Sequence, residues 1–86
     1  MTSKTITVRY FASIREAVGQ DSERVTTGAA TLAALRAELV ARGAPWAEGL
    51  AEGRAVRMAV DQVMATADVV LADGAEVAFF PPVTGG

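Results

Sequence analysis

One stretch of this chain carries a helical repeat while its flanks alternate, and that pairing leaves few ways to build a core. Leu32, Leu35, Leu39 and Val40 fall at i, i+3, i+7 and i+8, a single apolar stripe on a helix. Thr31 stands where an N-cap side chain is needed, Gly43 where a left-handed C′ residue is needed, and Pro45 blocks continuation. The stripe reads as core packing. A helix with one apolar face must bury it against something, and the rest of the chain offers only strands.

Those strands are read from period-two alternation. In residues 4–11 Ile6, Val8 and Tyr10 point one way and Thr5, Thr7, Arg9 and Phe11 the other, as in an antiparallel strand with one buried face. Ser13 and Glu16 have capping-box spacing, which predicts a short helical turn that Gly19 stops. Residues 23–27 form a second strand. Residues 44–53, punctuated by Gly49 and Gly53, read as a loop with a turn around Trp46, whose ring is a lid on the core. Residues 56–60 and 63–65 make a hairpin about Asp61-Gln62. Asp73-Gly74 turns the chain into a last strand at 76–80, whose Val77 and Phe79 face the core and whose Ala78 and Phe80 face outward. The expected architecture is α+β: a mixed sheet of about five strands with one main helix on one face. At 86 residues there is room for a single core. Residues 1–80 are expected to form the domain and residues 81–86 an extended tail.

Chemistry is restricted by what the chain lacks. It has no Cys and no His, which excludes disulfides, iron–sulfur ligation, Cys- or His-based zinc sites, thiol persulfides and Ser–His or Cys–His dyads. No metal ligand set is expected. Eight Lys and Arg against ten Asp and Glu give a net charge of −2. The cations stand singly along the chain, which argues against a phosphate-tracking surface, so no nucleic-acid partner is expected. The longest apolar runs are far below the ~20 residues of a membrane helix, and no secretory h-region follows the N-terminus. The expectation is a cytoplasmic protein with no membrane partner.

The final residues carry most of the functional information. Pro81-Pro82 fixes φ at two positions and takes the chain out of the sheet extended. Six residues in that state reach about 20 Å. Gly85 and Gly86 lack a Cβ, which suits entry into a narrow channel. The Gly86 α-carboxylate, with an ordinary pKa of about 3.3–3.7, is an anion and a poor electrophile at neutral pH. It becomes reactive only once activated, most simply as an acyl-adenylate made from ATP by a partner.

The run from Leu71 through Phe79-Phe80-Pro81-Pro82-Val83-Thr84-Gly85-Gly86 resembles the C-terminal signature of the small, sulfur-carrying subunits of molybdopterin synthase, the MoaD family. Residues 8–12 with 14–19 resemble that family's opening strand and turn, and with Ala59-Val60-Asp61-Gln62 the similarity spans nearly the whole chain. Ala75, where the family commonly carries an acid, and Asp61, often Asn, depart from the pattern. The resemblance implies a ubiquitin-like β-grasp fold and a carrier cycle. In that cycle a MoeB-like enzyme adenylates Gly86, a sulfur donor makes the thiocarboxylate, and a MoaE-like large subunit receives the sulfur in a heterotetramer. It implies no cofactor bound by the chain itself, ATP being used by the activating partner.

Gly86 is then the transferring residue, and Gly85, Thr84, Val83, Pro82 and Pro81 enter the partner's channel. Phe80, with Phe11 and Met64, is the expected docking patch, ordinary peripheral packing being the alternative for Phe11 and Met64. Asp68, Asp73 and Glu76 read as solvated turn charges, with steering toward cationic partner surfaces as the alternative. Competing functions are a thiocarboxylate carrier for thiazole or cysteine synthesis, a ubiquitin-like protein modifier, and a binding module with an incidental tail.

Overall fold

The computed structural model describes residues 3–51 and 53–82. Its elements run β1 (Lys4–Tyr10), α1 (Ala12–Val18), β2 (Ser22–Thr27), α2 (Leu32–Ala41), α3 (Trp46–Leu50), β3 (Arg57–Val60), β4 (Val63–Ala65) and β5 (Glu76–Phe80). The five strands form one mixed sheet in the order β2-β1-β5-β3-β4. This is the α+β arrangement expected from the alternation and the β-grasp order that the resemblance implies. β1 lies near the middle, antiparallel to β2 as its alternation suggested but parallel to β5 on its other side.

Alternation and helical period converge on one core. Ile6, Val8 and Tyr10 of β1, Leu32, Leu35 and Leu39 of α2, and Val77 and Phe79 of β5 are all buried, and each such side chain contributes about 1.5–3 kcal/mol of transfer free energy. Val40 is only partly buried at the stripe's edge. The rings of Tyr10 and Phe79 stack across the β1–β5 pair, centroids 6.2 Å apart. Thr31 caps α2, its hydroxyl accepting from Ala34 N at 3.2 Å, and Gly43 follows the last turn at φ 88°.

Two local readings are corrected. The Ser13–Glu16 capping box does not form: α1 is capped by Phe11 with no side-chain bond, and Ser13 lies inside the helix. The reason is tertiary. The β1–β5 pairing extends one residue past β1, with Phe11 N donating to Phe79 O at 3.1 Å, and Phe11 O then accepts from Ile14 N and Arg15 N. The helix therefore starts before Ser13 can cap it. Gly19 closes α1 at φ 91°, as expected. The second correction is α3, a five-residue helix that starts at Trp46 where only a turn within a loop was expected. The Arg36 guanidinium of α2 holds its end, Nε donating to Leu50 O at 2.7 Å and Nη2 to Ala51 O at 2.8 Å. A cationic donor set on the last carbonyls supplies what a local C-cap would otherwise supply.

Candidate functional site

The helices cover one face of the sheet and leave the other open. Strand register places on the open face, in one row, Ser22, Arg9, Ala78, Ala59 and Met64. In the next row Arg57 stands opposite Phe80, with Phe11 one step beyond the Tyr10–Phe79 pair. Sequence reasoning proposed Phe80, Phe11 and Met64 as a patch, and register brings all three to this face. Met64 is 57% exposed and Phe11 37%. Phe80 is half-buried rather than fully outward. Ala59 is only 7% exposed although it lies outside the core cluster, so it forms a floor among larger side chains.

Phe11 is held from two sides. The Arg9 guanidinium lies over its ring, 4.9 Å from the centroid, and the following residue, Ala12, takes φ 53°. A left-handed alanine costs about 1–2 kcal/mol, which the β1–β5 extension and the start of α1 together impose. Arg9 also pairs with Glu76, Nη1 to Oε2 at 3.2 Å. The tail departs from the end of β5 in this same region. Pro81 and Pro82 are half-buried and outside any strand. Val83, Thr84, Gly85 and Gly86 lie outside the described residues.

Of the acids that precede the tail in sequence, Glu76 lies on the open face, paired with Arg9, whereas Asp73 and Asp68 are held away from Phe80. The Asp73 carboxylate accepts from Thr5 N at 2.8 Å, at the start of β1 and thus at the end of the sheet opposite to Phe80. Asp68 is hydrogen-bonded by the Thr66 hydroxyl, which, with its own backbone N–H, holds its carboxyl below the usual carboxylate range. Asp61 accepts from Glu76 N at 3.0 Å, completing a hairpin turn in which Asp61 and Gln62 both have positive φ. That is the two-residue mirror turn that matches strand twist, so Asp in place of Asn leaves the turn intact. Ala75, the other departure from the family pattern, is buried in the core cluster, and its carbonyl accepts from Thr7 N.

Behind the patch lies a polar node that the sequence did not signal. The Glu23 carboxylate accepts from the Tyr10 hydroxyl at 2.7 Å, from Trp46 Nε1 at 3.0 Å, from Gln20 Nε2 at 3.3 Å and from Arg42 at 3.0 Å. Burial alone would push this carboxyl up; the bonds from Tyr10, Arg42 and Trp46 together more than offset that and hold it below the ordinary value. Burial, reinforced by Glu23, pushes the Tyr10 phenol well above its usual range. Arg42 also lies over the Trp46 ring at 4.7 Å. Trp46 thus packs on the core as a lid, as expected, and additionally ties α3 to β2. These groups anchor the scaffold and lie beneath the sheet's open face.

Among the described residues no three His, Cys, Asp or Glu side chains gather as a metal set, and no helix is long and apolar enough to cross a membrane. What the site offers chemically is a surface and a point of departure for the tail.

Residues 8–86 match the ThiS family. The chain is 46% identical over 81 residues to the molybdopterin synthase sulfur carrier subunit of Escherichia coli, covering 94% of this chain and 99% of the relative. It is 37% identical, with the same coverage, to the molybdopterin synthase sulfur carrier subunit of Haemophilus influenzae. Among solved structures it is similar to a chain in the complex of subunits 1 and 2 of molybdopterin-converting factor from Helicobacter pylori, with TM-score 0.63, 28% identity, and coverage of 95% of this chain and 99% of that one.

Proposed function

The chain belongs to the ThiS family, and from that premise we propose that it is a sulfur carrier of molybdopterin synthesis that bears its sulfur on the Gly86 carboxylate. The observation that supports this most is near-full-length likeness to two sulfur carrier subunits, in a chain with no Cys of its own. Without a thiol, sulfur has only the terminal carboxyl to ride on.

The chemistry follows from the carboxylate's stability as an anion. A MoeB-like activating enzyme brings ATP, the Gly86 carboxylate oxygen attacks its α-phosphate, and pyrophosphate leaves. Sulfur from the donor then adds to the acyl carbon of the adenylate and AMP departs; sulfide gives the thiocarboxylate directly, and sulfur arriving as a persulfide gives an acyl disulfide that a thiol reductant cleaves to it. ATP is bound by that partner, and the carrier holds no cofactor. The carrier next seats its open face on a MoaE-like large subunit. Pro81, Pro82, Val83, Thr84 and Gly85 lead Gly86 into that subunit's site, where the thiocarboxylate sulfur bonds to a pyranopterin precursor and water cleaves the C–S bond to Gly86, returning it to a carboxylate. Phe80, Phe11 and Met64 are the apolar contacts of this docking. Two carriers and two large subunits make a heterotetramer, in the cytoplasm. Residues 1–80 serve as the handle and 81–86 as the arm.

The test is intact mass spectrometry of the chain incubated with its activating enzyme, ATP and a sulfur donor. We expect the mass increase of one oxygen replaced by sulfur, located at Gly86 by fragmentation, and none in a chain lacking Gly86. No exchange in the full chain would refute the reading.

A further inference from the structure

The open face gathers arginines that stand far apart in the sequence. Arg9, Arg24 and Arg57 lie on it from three different strands. Arg24 stands opposite Thr7, which is itself opposite Glu76, and Arg57 stands opposite Phe80. Two carboxylates accompany these rows: Glu76, which pairs with Arg9, and Asp61 beside it, which accepts from Glu76 N at the far end from the tail. Arg24 and Arg57 are exposed and make no ion pair among the described residues. Asp73 is held at the far end of the sheet by Thr5 N, and the segment that carries Asp68 is bonded to the start of α2, Ala33 N donating to Ala67 O and Leu32 N to Val69 O, on the covered side of the sheet. A chain of net charge −2 therefore presents a cationic face where its tail departs.

The floor between those arginines is apolar. Ala59 and Ala78 are adjacent in one row, with Met64 beside them and Phe80 in the next. Guanidinium groups alone would suit any anion, including a sugar–phosphate backbone. An apolar floor ringed by separated cations fits instead a protein surface with an apolar centre and a charged rim.

We infer that the protein docking here presents carboxylates around an apolar prominence, one meeting Arg57 beside the root of the tail and another meeting Arg24 at the β2 edge. This rests on the reading that the open face seats the large synthase subunit, and it adds the chemistry that subunit must carry. Arg57 is central because it shares a row with Phe80, so a partner that covers the ring also brings its acid within reach of the guanidinium. Charges at such a rim act mainly on the rate of encounter and on its dependence on salt.

The experiment is titration calorimetry against the large synthase subunit encoded in the same genome. It uses the full chain as wild type, Arg57→Glu, Arg24→Glu, the double reversal and Phe80→Ala, with unchanged thermal midpoints establishing that the exposed-site variants are folded. Each reversal is expected to weaken binding about tenfold at about 50 mM salt and the double about a hundredfold, with the deficit shrinking markedly at about 500 mM. If Phe80→Ala weakens binding while the reversals leave it unchanged or tighten it, the acidic-partner inference falls and the docking reading stands. A deficit that does not shrink with salt overturns the inference as well. If Phe80→Ala and the reversals are all without effect, the docking face itself is wrong. Binding of a single-stranded RNA, or self-association in ultracentrifugation, that is lost on reversal while large-subunit affinity is kept would reassign the arginines and overturn the inference.

Discussion

Replacing Glu23 by Ala removes one carboxylate and strands several donors at once. Tyr10 is 1% exposed, so its hydroxyl has no recourse to water once the 2.7 Å bond to Glu23 is gone. A buried donor left without a partner costs about 1–3 kcal/mol. Trp46 Nε1, half-buried, loses its 3.0 Å bond at about 1 kcal/mol. The Arg42 side chain is 33% exposed, so its lost pairing contributes only a few tenths, about what a surface pair is worth. The expected loss is about 3 kcal/mol, a large share of the roughly 4–13 kcal/mol available to a domain of this size. The thermal midpoint should fall by roughly 12–24 °C. Glu23→Gln keeps one acceptor oxygen and should lose about 1–2 kcal/mol.

Urea denaturation followed by Trp46 fluorescence and circular dichroism measures both variants, and pH separates this mechanism from simple loss of packing. Glu23 has a folded-state pKa below its unfolded value. Its contribution is therefore fully present above the unfolded carboxyl range, about 4.3, and is lost as pH falls through the lower folded value. Wild type and Glu23→Gln should differ at pH 7 and converge in acid, where the wild-type side chain is itself neutral. A gap that stays constant down to acid pH, or a Glu23→Ala loss under about 1 kcal/mol, would refute the node as described.

Two smaller predictions use the same folded chain. Gln62 holds φ 69° in the β3–β4 turn, so Gln62→Gly relieves a left-handed non-glycine residue and should raise stability by about 0.5–1 kcal/mol in urea titration; a destabilised variant would show that Gln62 makes a compensating contact. Arg36→Ala removes the donors to Leu50 O and Ala51 O and should cost about 2 kcal/mol. Amide exchange should accelerate across α3 and leave β1 and β5 little changed, and uniform acceleration would count against a local capping role.

What the sequence revealed and what it concealed divide along one physical line. Patterns whose partners lie within a turn or along one strand were readable: the Leu32–Leu39 stripe, the Thr31 cap, the Asp61-Gln62 turn, and the inward Val77 and Phe79. Patterns that depend on residues far apart were not. The capping-box spacing at Ser13 is a sound local signal, yet the extension of β1 against Phe79 settles the helix start first. In the same way α3 has little local support, with Gly49 inside it, and exists because Arg36 reaches its last carbonyls. Glu23 looked like one more strand carboxylate. Its four donors come from positions 10, 20, 42 and 46, and only the packed α2–β2–α3 corner brings them together.

The same division governs the site. The role proposed for the tail rests on residue type and order alone: two prolines, then Val83 and Thr84, then two residues without side chains. The placement of Phe80, Phe11 and Met64 on the open face was half legible, since alternation can put them outward without saying which strands bring them together. The charge of that face was not legible, because the arginines that share it come from strands far apart in sequence. Asp73 is seven residues from Phe80 along the chain, but β5 runs away from it, whereas Arg57, more than twenty residues distant, pairs with Phe80 directly. In a mixed sheet with order β2-β1-β5-β3-β4, the neighbours of the last strand are the first strand and β3, both distant from it along the chain. A composition that is acidic overall is therefore compatible with a cationic surface at the one place where the tail leaves. A chain with no reactive side chain at its tail must be told apart from other carriers by the handle, and register decides what the handle displays.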